Sequence, residues 1–169
     1  SNLTLVKDNE IIYLEDIFCK IFASSLKDKN GKENPVEWID EKNEEHFFRI
    51  ALCHGSAKIE GKYAENDFPI PLDIASIKNL DYVAAGHFHS FLKINDRFFY
   101  SGSPEQLQFK DEGFALDVFL EKGESPIVNK IENLNYFNWS EIDYEVSDNC
   151  WEKVKNEIEK YFNYKNVVN

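Results

Sequence analysis

Two apolar strand patterns, each running into a histidine and separated by one amphipathic helical stretch, constrain this chain more than any other feature. The first carries Phe47, Phe48, Ile50, Ala51, Leu52 and Cys53 and closes at His54; the second, Tyr82, Val83, Ala84 and Ala85, passes through Gly86 to His87. Between them Ile74, Ile77 and Leu80 share one helical face behind Asp73, which is placed to cap the first turn. Strand, helix, strand in this order predicts a parallel crossover unit, in which both strands finish at the same sheet edge. Topology therefore places His54 and His87 on one edge, with His89 two residues further along.

Imidazole is the commonest neutral ligand for transition metals, and three of them at strand ends predict one metal site built along that edge. Two histidines flanking a single residue, Phe88, can turn toward the same cavity. Gly86, after Ala84 and Ala85, leaves room for backbone to approach a ligand closely. His46, in the polar run before Phe47, is expected to be an ordinary surface residue.

A chain of 169 residues suits one domain with a real core, and is small for a complete two-layer enzyme with a substrate domain. It opens Ser1-Asn2 and contains no methionine, as an excised piece would, or a chain that has lost its initiator methionine. No apolar run approaches the roughly 18 residues of a membrane span, and no basic-then-apolar leader is visible, so a soluble, cytoplasmic protein is expected. Cys19, Cys53 and Cys150 are odd in number, far apart and without a CxxC spacing, which predicts reduced thiols. The net charge of -12 repels phosphate backbones over most of the surface and argues against sequence-independent DNA binding by the surface at large. Between His54 and Lys110, however, acids and bases nearly balance, so a polyanionic substrate would have to be held by this stretch together with bound cations.

Elsewhere, Leu3 to Val6 and Ile11 to Leu14 alternate around Asp8-Asn9 and predict a hairpin, followed by a mixed apolar run from Ile17 to Leu26 that reads as strand or helix, with strand preferred. Residues 27–45 are charge-rich and predict a solvated excursion with one short helix near Val36 to Ile39. After His89, Phe91 to Ile94 and Arg97 to Tyr100 predict a hairpin turning at Asn95-Asp96. Gly113 to Leu120 and Ile127 to Leu134 predict a second, about Lys122-Gly123-Glu124, forming another antiparallel layer. A strand through Ile142, Tyr144 and Val146 and an amphipathic helix with Trp151, Val154, Ile158 and Tyr161, capped at Ser147 or Asp148, complete the pattern. The fold class is thus α+β or α/β.

The segment Tyr100-Ser101-Gly102-Ser103-Pro104-Glu105 reads as a tight turn after a strand. As a functional loop, it would offer Ser101 and Ser103 as hydroxyl or backbone donors to a substrate phosphate, with Glu105 orienting a neighbouring loop.

Taken together, His54-Gly55-Ser56 after a strand, then Leu80 to His89 (LDYVAAGHFH), then Tyr100 to Glu105 (YSGSPE), then Gly113-Phe114 opening a strand, resemble the calcineurin-like metallophosphoesterases, and within them the Mre11/SbcD-type (YhaO-like) DNA repair exonucleases. The resemblance covers residues 47 to about 139. It implies the C-terminal part of a two-layer metallophosphoesterase β-sandwich with flanking helices over residues 1–138, and the beginning of a capping domain over 139–169. Two divalent ions, manganese foremost, are implied in the parent protein, His54 and His87 ligating one and His89 the other, to polarise a DNA phosphodiester and generate a hydroxide nucleophile. Ser101 and Ser103 would contact substrate. No residue of this chain is assigned as a catalytic acid or base. DNA and an SMC-like ATPase subunit of the SbcC type are the implied partners, a homodimer is compatible, and no membrane is involved.

The family's Asp-x-His, its Gly-Asp with a bridging aspartate and its Gly-Asn-His-Asp/Glu occur nowhere between Ser1 and Asn169. Three imidazoles do not fill two coordination shells, so the chain alone is expected to be inactive, with a partial or empty site. Two alternatives stay open: a metallophosphoesterase acting on nucleotides or phosphoproteins, and a non-catalytic binding or assembly module.

Overall fold

In the computed structural model, residues 3–106, 113–132, 134, 136, 138–140, 150–161 and 166–168 are described. A six-stranded sheet in the order β1-β2-β3-β4-β6-β5 dominates them, with β1 Glu10–Leu14, β2 Cys19–Ala23, β3 Phe48–His54, β4 Tyr82–Gly86, β5 Leu92–Lys93 and β6 Phe98–Tyr100. The four inner strands run parallel, while β1 and β5 pair antiparallel at the two edges. Two separate two-stranded ladders follow, β7 Ala115–Phe119 against β8 Ile127–Ile131, antiparallel, and β9 Asn138–Ser140 with β10 Asn166–Val168, parallel. The class is mixed α and β with a mostly sheet core, as the sequence predicts.

Alternation decides which face is wet. Ala51 and Cys53 of β3, Val83 and Ala85 of β4, and Phe98 and Tyr100 of β6 point to one side, where they meet Phe22, Val36, Ile39, Ile70, Ile74 and Leu80 in the core. On the opposite side the β7–β8 hairpin covers Tyr82, Ala84 and Phe99 and leaves a cleft of about 330 Å³. Phe114 packs its ring 5.8 Å from that of Phe91, and the Lys130 ammonium sits 4.3 Å from the Phe114 ring centre. The expected antiparallel pairing of these two segments is present in this hairpin.

Three local expectations are corrected. The first hairpin does not join Leu3–Val6 to Ile11–Leu14; β1 pairs with β2 through a 3-10 turn, Glu15–Ile17. Phe18, left-handed at φ 49°, turns the chain back, a conformation that no glycine or asparagine signals in the sequence. The strand expected within Ile17 to Leu26 is β2.

Second, residues 27–45 are not simply a solvated loop, and Val36 to Ile39 form turns rather than a helix. Val36 and Ile39 are fully buried in the core, and the Trp38 indole donates to Ser24 Oγ at 2.9 Å. Ile39→Ala is therefore expected to cost about 2–5 kcal/mol of stability, measurable by urea denaturation, whereas a truly solvated excursion would lose almost nothing.

Third, the crossover helix is a single turn, α1 Ile74–Ile77, and the Asp73 side chain makes no capping hydrogen bond. Asn79 adopts φ 49° directly after it and stops propagation, so Leu80 reaches the core from outside the helix while Ile77 stays 42% exposed. The crossover nonetheless returns the chain parallel, with His54 opposite Gly86 in the register of β3 and β4.

Helix α2, Trp151–Tyr161, lies where the C-terminal periodicity places it, although Trp151 is 70% exposed. The strand expected through Ile142 to Val146 and the caps at Ser147 and Asp148 fall outside the described residues. Among the described residues, no helix is long and apolar enough to cross a membrane.

Candidate metal-binding edge

The sheet presents two chemically different ends. At the N-terminal ends of β3 and β4, charge serves structure. Arg49 is 1% exposed; its guanidinium donates to Asp40 Oδ1 at 2.9 Å, Glu44 Oε2 at 3.1 Å and the Asp40 carbonyl at 2.7 Å, and it lies 4.5 Å from the Phe22 ring centre. Asp81 accepts the Arg49 backbone N–H and the Lys122 ammonium, each at 2.8 Å, tying the turn of the β7–β8 hairpin to the start of both strands. The hydrogen bond from Lys20 holds the Glu44 carboxyl below its ordinary value against the opposing effect of burial, with Arg49 adding to it.

At the C-terminal ends lie the imidazoles. His54, the last residue of β3, and His87, the first beyond β4, place their rings 5.5 Å apart and perpendicular. Gly86 makes this possible, because a Cβ there would stand 3.0 Å from His54 Nδ1. Burial and the neighbouring His87 and His89 push the His54 imidazole toward its neutral form, Asp67 opposing them. His89 thus acts electrostatically on His54 from the adjoining loop, its own side chain exposed. His46 is exposed at the opposite end of β3, as expected.

The loop after β6 braces this edge from below. Ser103 donates its backbone N–H to the His89 carbonyl at 2.8 Å, and the Ser101 hydroxyl donates to the Gly102 carbonyl at 3.3 Å. Tyr100, buried, donates its hydroxyl to the Gly55 carbonyl at 2.8 Å and so anchors the residue that follows His54. The Glu105 carboxylate accepts the Tyr136 backbone N–H at 2.8 Å, which links this loop to another segment.

Gly102 is irreplaceable in this packing. It has φ 77°, and a Cβ would meet the His89 carbonyl oxygen at 2.7 Å and the Phe91 nitrogen at 3.0 Å. Gly102→Ala is expected to cost about 2–4 kcal/mol, combining left-handed strain with overpacking, and to displace the His89 loop. A shifted urea midpoint together with altered His89 resonances would register both effects.

Sequence reasoning missed Asp67. Its Oδ2 lies 2.8 Å from His87 Nε2, and its backbone is bridged to Gly31 of the 27–45 excursion. Nothing in linear spacing connects a carboxylate in a polar loop with a histidine on the next strand. Asn66-Asp67 ahead of Phe68-Pro69 signals only a loop closing.

Among the described residues, no group of three or more His, Cys, Asp and Glu side chains stands ready to hold a metal ion. The donor chemistry explains this: two imidazoles converge, the nearby carboxylate is engaged by one of them, and the third imidazole lies on the outer loop. These donors suit part of one shell and do not fit two closed shells of divalent ions.

No protein-family model matches the chain, and no curated protein matches it.

Proposed function

We propose that this chain supplies the imidazole side of a metal-dependent phosphodiesterase centre, and that the protein it serves is a DNA repair exonuclease of the metallophosphoesterase type working with an SMC-like ATPase. The convergence of His54 and His87 at the ends of adjacent parallel strands, rings 5.5 Å apart, carries this proposal. Ligand sites of open parallel sheets form outside the carboxyl ends of the strands, where these residues are. A two-layer sandwich, a cap beginning near residue 139 and a pair of manganese ions belong to the same proposal.

Divalent ions, when bound, would supply charge that polarises a phosphodiester and acidifies a water molecule. The chain's own contribution is positional. His54 is biased toward its neutral form by burial and its neighbouring imidazoles, Tyr100 fixes Gly55 behind it, and the Ser101–Ser103 loop braces His89 and lies beside the edge that a phosphate would approach. We assign the missing carboxylate and asparagine ligands to sequence outside Ser1–Asn169.

Manganese-dependent hydrolysis of bis(p-nitrophenyl) phosphate and of duplex DNA tests the proposal, run on this chain and on the protein extended upstream of Ser1. Turnover by the extended form only, on DNA in preference to small phosphate monoesters, is expected. Preference for nucleotides or phosphopeptides would move the protein to another phosphoesterase class. No hydrolysis by the extended form would leave a binding or assembly module.

A further inference from the structure

We propose that Asp67 is a positioning residue which fixes the tautomer of His87, accepting a hydrogen bond from Nε2–H and leaving Nδ1 as the ring atom free to bind a cation. Only the use of Nδ1 rests on the function proposed above; the direction of the hydrogen bond stands on geometry alone.

The two atoms are 2.8 Å apart, and both side chains are largely shielded, at 26% and 30% exposure. An ionised carboxylate has no proton to give, so the contact requires the hydrogen on Nε2. A neutral imidazole carries one N–H, and its second nitrogen is then a bare lone pair, the form in which histidine ligates metals while a carboxylate holds its other nitrogen.

Both partners are built in rather than swept together. Asp67 sits in a short backbone bridge, in which Gly31 N–H donates to the Asn66 carbonyl at 2.9 Å, Phe68 N–H to the Gly31 carbonyl at 2.7 Å, and Ser56 N–H to the Asp67 carbonyl at 3.0 Å. Phe68 is left-handed at φ 48°, which turns the chain immediately after the carboxylate. His87 itself has φ 134°, a conformation strained for a non-glycine residue that persists only where its surroundings impose it. The strained backbone carries the ring to a point between His54 and Asp67. Ser56 lies two residues after His54, so the bridge that holds Asp67 is fastened to the same loop that follows the first imidazole.

Nitrogen-15 labelling of the histidines in the full 169-residue chain, with long-range proton–nitrogen correlation at a pH above the ordinary imidazole range, reads the tautomer directly. Four histidines are few enough to assign by single replacement. His87 is expected as a single Nε2–H tautomer whose ring proton exchanges slowly with water. In Asp67→Ala both tautomers appear, and that proton exchanges about tenfold faster or more, as for a lost charge-assisted hydrogen bond. Asp67→Asn, which keeps a weaker acceptor, falls between them.

An Nδ1–H or mixed tautomer in the unaltered chain would overturn the proposal, as would an unchanged spectrum in Asp67→Ala. Should the alanine variant fail to fold, the unaltered chain and Asp67→Asn still decide. No metal takes part, so an inactive extended protein with a single Nε2–H tautomer would count against the phosphodiesterase and leave this assignment standing.

Discussion

Arg49→Ala is expected to destabilise the chain by about 3 kcal/mol, a large share of the 5–15 kcal/mol that holds a typical domain together. The guanidinium is 1% exposed, and its removal leaves a void against Phe22 and strips the Asp40 and Lys78 carbonyls of a donor. The cost stays near the lower end for a broken buried pair because Asp40 is 45% exposed and can take water instead. Arg49→Met, which keeps most of the volume, separates packing from charge: recovery of more than half the loss would assign the effect to packing.

Acid should report the same network. Asp40 is pushed up by burial, but the Lys42 backbone N–H and the hydrogen bond and charge of Arg49 bring it below its ordinary value, and Glu44 is held low by Lys20 and Arg49. A carboxylate depressed in the folded state contributes stability above its unfolded pKa and loses it as pH falls through the folded one. The loss should therefore begin near the ordinary values, 4.5 for Glu44 and 3.8 for Asp40, and continue below them. In Arg49→Met the urea midpoint should fall less steeply over that window.

The second large effect concerns activity. In the upstream-extended protein, His87→Ala is expected to lower manganese-dependent phosphodiester turnover at least about a hundredfold, since charge stabilisation by a catalytic ion is worth several kcal/mol and about 1.4 kcal/mol is tenfold. His54→Ala should match it, because the two rings converge. His46→Ala, exposed at the far end of β3, is the control and should be silent. A His87→Ala variant with the stability and turnover of the parent would remove the imidazoles from the chemistry.

The crossover unit was legible because its signals are local: two apolar runs of strand length on either side of one amphipathic stretch agree on parallel β3 and β4. What stayed hidden depends on tertiary contacts. The charge-rich composition of residues 27–45 conceals Val36 and Ile39, because Arg49 draws Asp40 and Glu44 back onto the sheet and their hydrophobic neighbours follow. Alternation in Leu3–Val6 looks as strand-like as that in Ile11–Leu14, and the turn through the left-handed Phe18 brings β2 rather than Leu3–Val6 against β1. At the site, the histidines were visible through their strand-end positions, while Asp67 was one acid among several in a polar loop. Ser101 and Ser103 were singled out as hydroxyl or backbone donors to a phosphate, whereas the bond from Ser103 N–H to the His89 carbonyl, which joins this segment to the edge, could not be read from the sequence.

Manganese binding by the upstream-extended protein, counted by electron paramagnetic resonance, tests the proposed centre most directly. Two ions are expected, with His54→Ala and His87→Ala each weakening the same one by about tenfold or more and His89→Ala weakening the other. Undiminished binding of both ions in all three variants would contradict the assignment of this strand edge to metal-dependent phosphodiester cleavage.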